Sequence, residues 1–239
     1  MTWSILARDD SGQFGVAIAS KFFAVGALCV HTRRGVGAVS TQALMNPLYG
    51  PAALDLLLAG RSAAQAVAEL VGADAGRDQR QVHVLSATGA GAAHTGSSCV
   101  DWCGHALFED FSVAGNMLAG PDVVNATAQA FVAASGRPMA ERLLAAMAAG
   151  EAAGGDKRGK QSAALRIHGG QDYPQLDLRV DDHEDPIVEL QRLYQVSLER
   201  FQPFVACLAG RENPVGLVDR VLIDASIARF HAARAEGKQ

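Results

Sequence analysis

Cysteine, aromatic side chains and charge are all scarce in this chain. Four cysteines in 239 residues are too few to staple a small scaffold, which excludes the disulfide-rich domains. Charged residues make up 19% and the net charge is -4. That is too little charge for a disordered segment and the wrong sign for a general nucleic-acid binder. No Lys/Arg run exceeds two residues. Every apolar stretch is broken by Gly, Arg or Asp well before the ~18 residues a bilayer requires. Met1-Thr2-Trp3-Ser4 lacks the basic and apolar regions of a secretion signal. The expectation is a cytoplasmic protein with neither membrane nor nucleic acid as partner. What the chain does have is apolar material, 49% of residues, with 25 glycines and only 6% aromatics. Such a core packs small side chains at close backbone approach.

Periodicity orders the elements. Residues 2–8 and 14–20 read as strands of a hairpin around Asp9-Asp10-Ser11-Gly12. A second strand pair, 27–32 and 36–41, turns at Arg33-Arg34-Gly35. Two helices follow, 51–59 stopped by Gly60 and 63–71 capped by Ser62 and stopped by Gly72. Strands return at 81–86, 90–94 and 111–114, then helices at 122–134 and 138–149. Strands 162–168 and 176–180 pair next, and the chain from Pro186 onward is helical in pattern. Hairpin-linked strands argue against repeated βαβ units. The order fits an α+β fold with helices stacked outside two packed sheets.

Thr2 is the most informative residue. Methionine is normally trimmed before so small a residue, leaving a terminal threonine whose own amine, with a pKa of about 8, can take the hydroxyl proton. Thr2 opens a strand, and the hairpin returns the chain at Ser20-Lys21. Lys21 would favour the neutral amine and stabilise developing negative charge. Many ordinary proteins also begin Met-Thr, and a lysine at a strand end is commonly just solvated.

Cys99 and Cys103 stand near His94 and His105, but the spacing matches no standard zinc site, and all four cysteines read as free buried thiols. Asp181-Asp182-His183 reads as an ion-paired strand end, with Arg179 as a partner. No Gly-x-Ser-x-Gly, P-loop or dinucleotide fingerprint occurs.

The segments Thr2-Trp3-Ser4-Ile5, Ala19-Ser20-Lys21-Phe22-Phe23-Ala24-Val25-Gly26, Thr41-Gln42-Ala43, Asn46-Pro47, Gly115-Asn116, Gly154-Gly155-Asp156-Lys157-Arg158-Gly159 and Asp177-Leu178-Arg179-Val180-Asp181-Asp182-His183 carry a resemblance. They resemble a bacterial family of unknown function grouped with the N-terminal-nucleophile (Ntn) hydrolases, from residue 2 to about 190. The resemblance implies a four-layer αββα sandwich, placed here over 1–183, and amide-bond hydrolysis by an N-terminal threonine; the helical pattern of the remaining residues makes 184–239 a helical extension. Catalytic candidates are then Thr2, Ser20, Lys21 and, as oxyanion donor, Asn116. Gln42 and Asn46 could orient a polar substrate or serve as capping and turn residues. In the loop 154–161, Asp156, Lys157 and Arg158 form a candidate carboxylate clamp. The expected substrate is a small acyl-amide or peptide-like metabolite, with no cofactor and no metal. The rival reading is a non-catalytic small-molecule-binding or scaffold protein that keeps the fold. Apolar residues left over after Pro186 point to a homodimer or higher homo-oligomer.

Overall fold

The computed structural model describes residues 2–236; Met1, whose removal the Thr2 reading requires, lies outside them. The fold is α+β, with two antiparallel sheets and eight α-helices among the described residues. The chain divides into two compact units, Met1–Leu190 and Gln191–Gln239.

In the first unit, β1 (Thr2–Arg8) and β2 (Phe14–Ser20) pair as the expected hairpin. One turn of helix, α1 (Gly26–Cys29), stands where the sequence predicts the start of a strand. The chain must cross there from one sheet to the other, and α1 makes the crossing while seating Val25 and Cys29 in the core. Strands β3 (Val30–Arg33) and β4 (Gly37–Ala43) follow. Helix α2 (Tyr49–Leu58) ends before Gly60, whose φ of 86° suits a residue without Cβ. Helix α3 (Ala63–Ala73) starts at the predicted cap, where Ser62 and Gln65 form a reciprocal capping box. Next come β5 (Arg80–Ser86), β6 (Ala92–Thr95), β7 (Gly104–Leu107) and β8 (Phe111–Asn116). Helices α4 (Asp122–Ala133) and α5 (Met139–Ala152) and strands β9 (Ser162–His168) and β10 (Leu176–Val180) complete the series, and α6 (Pro186–Glu199) begins in this unit and continues into the second. The sequence did not predict β7. It is a sheet edge with exposed His105 and Leu107, so it carries no apolar alternation.

The larger sheet runs β10-β9-β2-β1-β8-β7 and the smaller β3-β4-β5-β6. Helix α5 covers β2 and β9, and α4 covers β8. Gly15 permits this closeness: a Cβ there would stand 2.7 Å from a Leu143 methyl. Helices α2 and α3 cover the smaller sheet through Tyr49, Ala53, Leu54 and Val67. The other faces meet each other, β1 and β2 against β4 and β1 and β8 against β5. This inner space has two halves. Leu6, Val16, Ile18, Val30, Ala38 and Leu85 fill one with hydrocarbon. The other, toward the start of β1, is polar.

In the second unit, α7 (Phe201–Val205) precedes α8 (Arg220–Ala235), whose cap Asp219 accepts from the Val221 and Leu222 amides. No helix of the described residues is long and apolar enough to cross a membrane.

Candidate active site

Thr2 opens a strand in the middle of the six-stranded sheet, with β2 on one side and β8 on the other. Trp3 pairs with Ala19, which brings Ser20 beside Thr2; Asn116 is the register partner of Thr2 across β8. The Thr2 hydroxyl donates to Ser20 Oγ at 3.1 Å. Its carbonyl is approached by Gln42 Nε2 at 3.4 Å and Asn116 Nδ2 at 3.5 Å. These are long contacts, at the weak end of hydrogen bonding. Thr2 is 5% exposed, so its hydroxyl is sheltered and does not project from the strand end.

Behind Thr2 lies the polar half of the core. Ser4 Oγ donates to Gln42 Oε1 at 2.7 Å and meets His83 Nε2 at 2.8 Å. The single serine proton is committed to Gln42, so the serine oxygen accepts from His83 Nε2–H. His83 Nδ1 then accepts from Ser112 Oγ, 2.8 Å away. The ring is neutral, and burial pushes its pKa down to about 3. Gln42 Nε2 continues to Gln81 Oε1 at 2.7 Å, which also takes Asn116 Nδ2 at 3.0 Å. Gln81 Nε2 serves Gly115 O at 2.8 Å and Thr95 Oγ1 at 2.9 Å. Ser4, Gln42, Gln81, His83, Ser112 and Asn116 are all buried. Ser4, Gln81, His83 and Ser112 were not among the sequence candidates. Their one signal is a small or polar residue at alternate positions on several otherwise apolar strands.

The other candidates form a second cluster. The Asp156 carboxylate, buried, accepts the Lys21 and Arg158 backbone amides at 2.8 Å each and the Arg158 guanidinium at 3.3 Å. Lys21 points its ammonium at Lys160 O, 3.0 Å away, and Lys157 points at Asp101 O, 2.6 Å away. Asn46 stands apart from both clusters. It accepts from the Leu48 amide and reaches Asp74, which also takes the Tyr49 hydroxyl and Arg80. That is a turn role at the start of α2. The Gly76 amide and the Tyr49 hydroxyl hold the Asp74 carboxyl well below the usual carboxylate range. At the far strand end, Arg179 pairs with Asp181 at 2.7 Å.

A cavity of about 520 Å³ opens beside Asn116, with Phe22, Leu44, Val100, Met117 and Arg158 in its wall. Two non-glycine residues of its lining hold left-handed backbone, Ala43 at φ 68° and Met117 at φ 52°. Such strain costs on the order of 1 kcal/mol per residue and gathers at functional sites. Cys99, also in the wall, has its thiol pKa raised by burial, and burial pushes Cys103 up to about 11. All four cysteines are free; Cys103 is only half-buried. Among the described residues no cluster of three or more His, Cys, Asp or Glu could hold a metal ion.

A search of curated proteins finds no match. Among solved structures, the chain is similar to the crystal structure of protein SPO2555 from Silicibacter pomeroyi, described under the family DUF1028. The two are 32% identical with a TM-score of 0.85, covering 92% of this chain and 96% of that one. A remote likeness links it to Anbu, the ancestral beta-subunit from Yersinia bercovieri, at 11% identity and a TM-score of 0.37, over 82% of this chain and 94% of that one. The model of the family of unknown function DUF1028 matches residues 2–190. By that match and the 32% identity to SPO2555, the chain belongs to the DUF1028 family.

Proposed function

We propose that the chain is an amidohydrolase of N-terminal-nucleophile type, on a four-layer αββα sandwich over residues 1–183, with Thr2 as nucleophile once Met1 is removed. The observation that carries this reading is the position of Thr2. It heads a central strand, its hydroxyl lies 3.1 Å from Ser20 Oγ, and its register partner Asn116 lines the cavity.

In the proposed reaction the free α-amine of Thr2 takes the proton from Oγ1 as the oxygen attacks the substrate carbonyl carbon. Asn116 commits Nδ2 to Gln81, and its 3.5 Å contact to Thr2 O is weak enough to yield to an oxyanion. The C–N bond then breaks, and the leaving amine departs with the proton held on the α-amine. Water attacks the acyl ester, gives up a proton to the same amine, and releases the carboxylic acid with Thr2 restored. Ser20 orients the hydroxyl. Lys21, anchored on the Lys160 carbonyl, supplies positive charge at the strand end that favours the neutral amine. Gln42 holds the Thr2 carbonyl. No cofactor is required by these steps. Self-association through residues 184–239 is part of the same reading.

One observation favours the rival, a binding protein without catalysis: Thr2 is 5% exposed, with its hydroxyl and carbonyl both engaged. An electrophilic acyl donor separates the two. Protein lacking Met1 should be acylated by a β-lactone at Thr2, located by peptide mass mapping. No adduct, or an adduct elsewhere, defeats the hydrolase reading.

A further inference from the structure

The cavity beside Asn116 has an uneven chemistry. Phe22, Leu44 and Val100 line it and are each more than half exposed, at 51%, 61% and 52%. Ala43, Cys99 and Met117 add apolar wall. Large apolar side chains left in water around one concavity mark a surface that an apolar group covers. Against this wall stands one formal charge, since Arg158 is the only ionised side chain in the lining; Gln79, Ser98 and Asn116 are neutral. Asp156 is the ion-pair partner of Arg158: that carboxylate accepts two backbone amides at 2.8 Å each and the guanidinium at 3.3 Å. A guanidinium fork serves more than one acceptor at a time and matches a carboxylate in two parallel bonds.

We infer that this cavity takes an amphipathic amide: an apolar acyl chain against Phe22, Leu44, Val100 and Met117, and a carboxylate on the amine side held by Arg158, as in an N-acyl amino acid. This substrate class rests on the proposed hydrolase site. The volume, about 520 Å³, is within the range of small-molecule sites and accommodates a medium-length chain together with a single amino-acid unit. Uncharged amides would lose the Arg158 contact, and short acyl groups would leave the apolar wall wet.

Binding tests this apart from turnover. Calorimetry on the Thr2→Ala protein uses three probes: N-octanoylglycine, its uncharged N-methylamide, and N-acetylglycine. N-octanoylglycine should bind at least ~10-fold more tightly than either of the others. Arg158→Met should abolish the preference over the methylamide and leave methylamide binding unchanged, while Arg158→Lys should keep part of it. Equal affinity for the charged and uncharged octanoyl probes, no binding by any probe, or a preference that survives in a folded Arg158→Met protein overturns the inference. Failure of the hydrolase reading would look different: tight, Arg158-dependent binding with no cleavage of N-octanoylglycine by the protein beginning at Thr2.

Discussion

Gln42 and Gln81 are register partners on β4 and β5, and the amide of the first donates to the side-chain carbonyl of the second at 2.7 Å. From that pair the hydrogen bonds run to Ser4, His83 and Ser112 on one side and to Asn116 and the Gly115 carbonyl on the other. Half of the space between the sheets is therefore held by directional bonds, and that half lies behind Thr2. Directional bonds fix positions more tightly than hydrocarbon does, at the cost of a heavy penalty if one member is lost.

Gln81→Leu measures that penalty. The change leaves the Gln42 and Asn116 amides and the Gly115 carbonyl without their Gln81 partner inside the core. Each buried group stranded in this way costs roughly 1–3 kcal/mol, so denaturant unfolding should show a loss of about 3 kcal/mol or more. A midpoint within experimental error of wild type would mean the network is not rigidly satisfied.

His83 gives the core a pH dependence of definite sign. Its folded pKa is about 3 against an ordinary 6.5. Between these values the unfolded chain binds a proton that the folded chain does not. Stability contributed by the neutral ring is complete above 6.5 and falls as pH drops toward 3, by on the order of 1 kcal/mol per unit. His83→Gln keeps a donor and an acceptor but does not titrate. Unfolding followed from pH 7 to pH 4 should therefore be less steep in the variant than in wild type. Parallel curves would remove His83 as the cause.

The sequence reveals the backbone of this fold far better than its interior. The 2–8 and 14–20 hairpin, the Ser62 cap and the 162–168/176–180 pair follow local rules, and the structure has them at those places. The crossover α1 does not follow from its apolar run, because the need to change sheets is a long-range demand. Nor does the polar core. Gln81 and His83 alternate with Val82 and Val84, a pattern that ordinarily means one face in water. Here the polar face meets the polar face of β1 and β8, and only the packing of two distant hairpins reveals it. At the site, the Thr2–Ser20 neighbourhood follows from hairpin length. The direction of Lys21 toward the Lys160 carbonyl does not, since 139 residues separate them.

Thr2 variants separate chemistry from structure. Thr2→Ala removes Oγ1 and one hydrogen bond to Ser20, so turnover of a cleavable amide should fall by ~10³-fold or more while the melting temperature moves little. Thr2→Ser keeps the oxygen and should retain part of the rate. Wild-type turnover in Thr2→Ala would rule out the threonine mechanism.

The second unit makes the last prediction. Val215, Val218, Val221 and Leu222 are 71%, 75%, 76% and 51% exposed, and Val218 also borders a cavity of about 720 Å³ with Phe201, Phe204 and Ile223. Four large aliphatic groups within eight residues would form an apolar patch unusual for a soluble monomer's surface. A second copy is the simplest cover, because a twofold axis lets one patch bury its own mate. Arg200, Arg220 and Asp224 at the cavity rim bring both signs of charge to such a contact, so self-pairing meets no single-sign repulsion. Sedimentation at micromolar concentration should therefore show a species of at least twice the 25.0 kDa chain mass. Replacing Val218 and Val221 together by Asp would place four carboxylates at a twofold contact and should shift the equilibrium to monomer, with the far-ultraviolet spectrum unchanged. A wild-type protein that sediments as a monomer over that range would show that the patch stays in water.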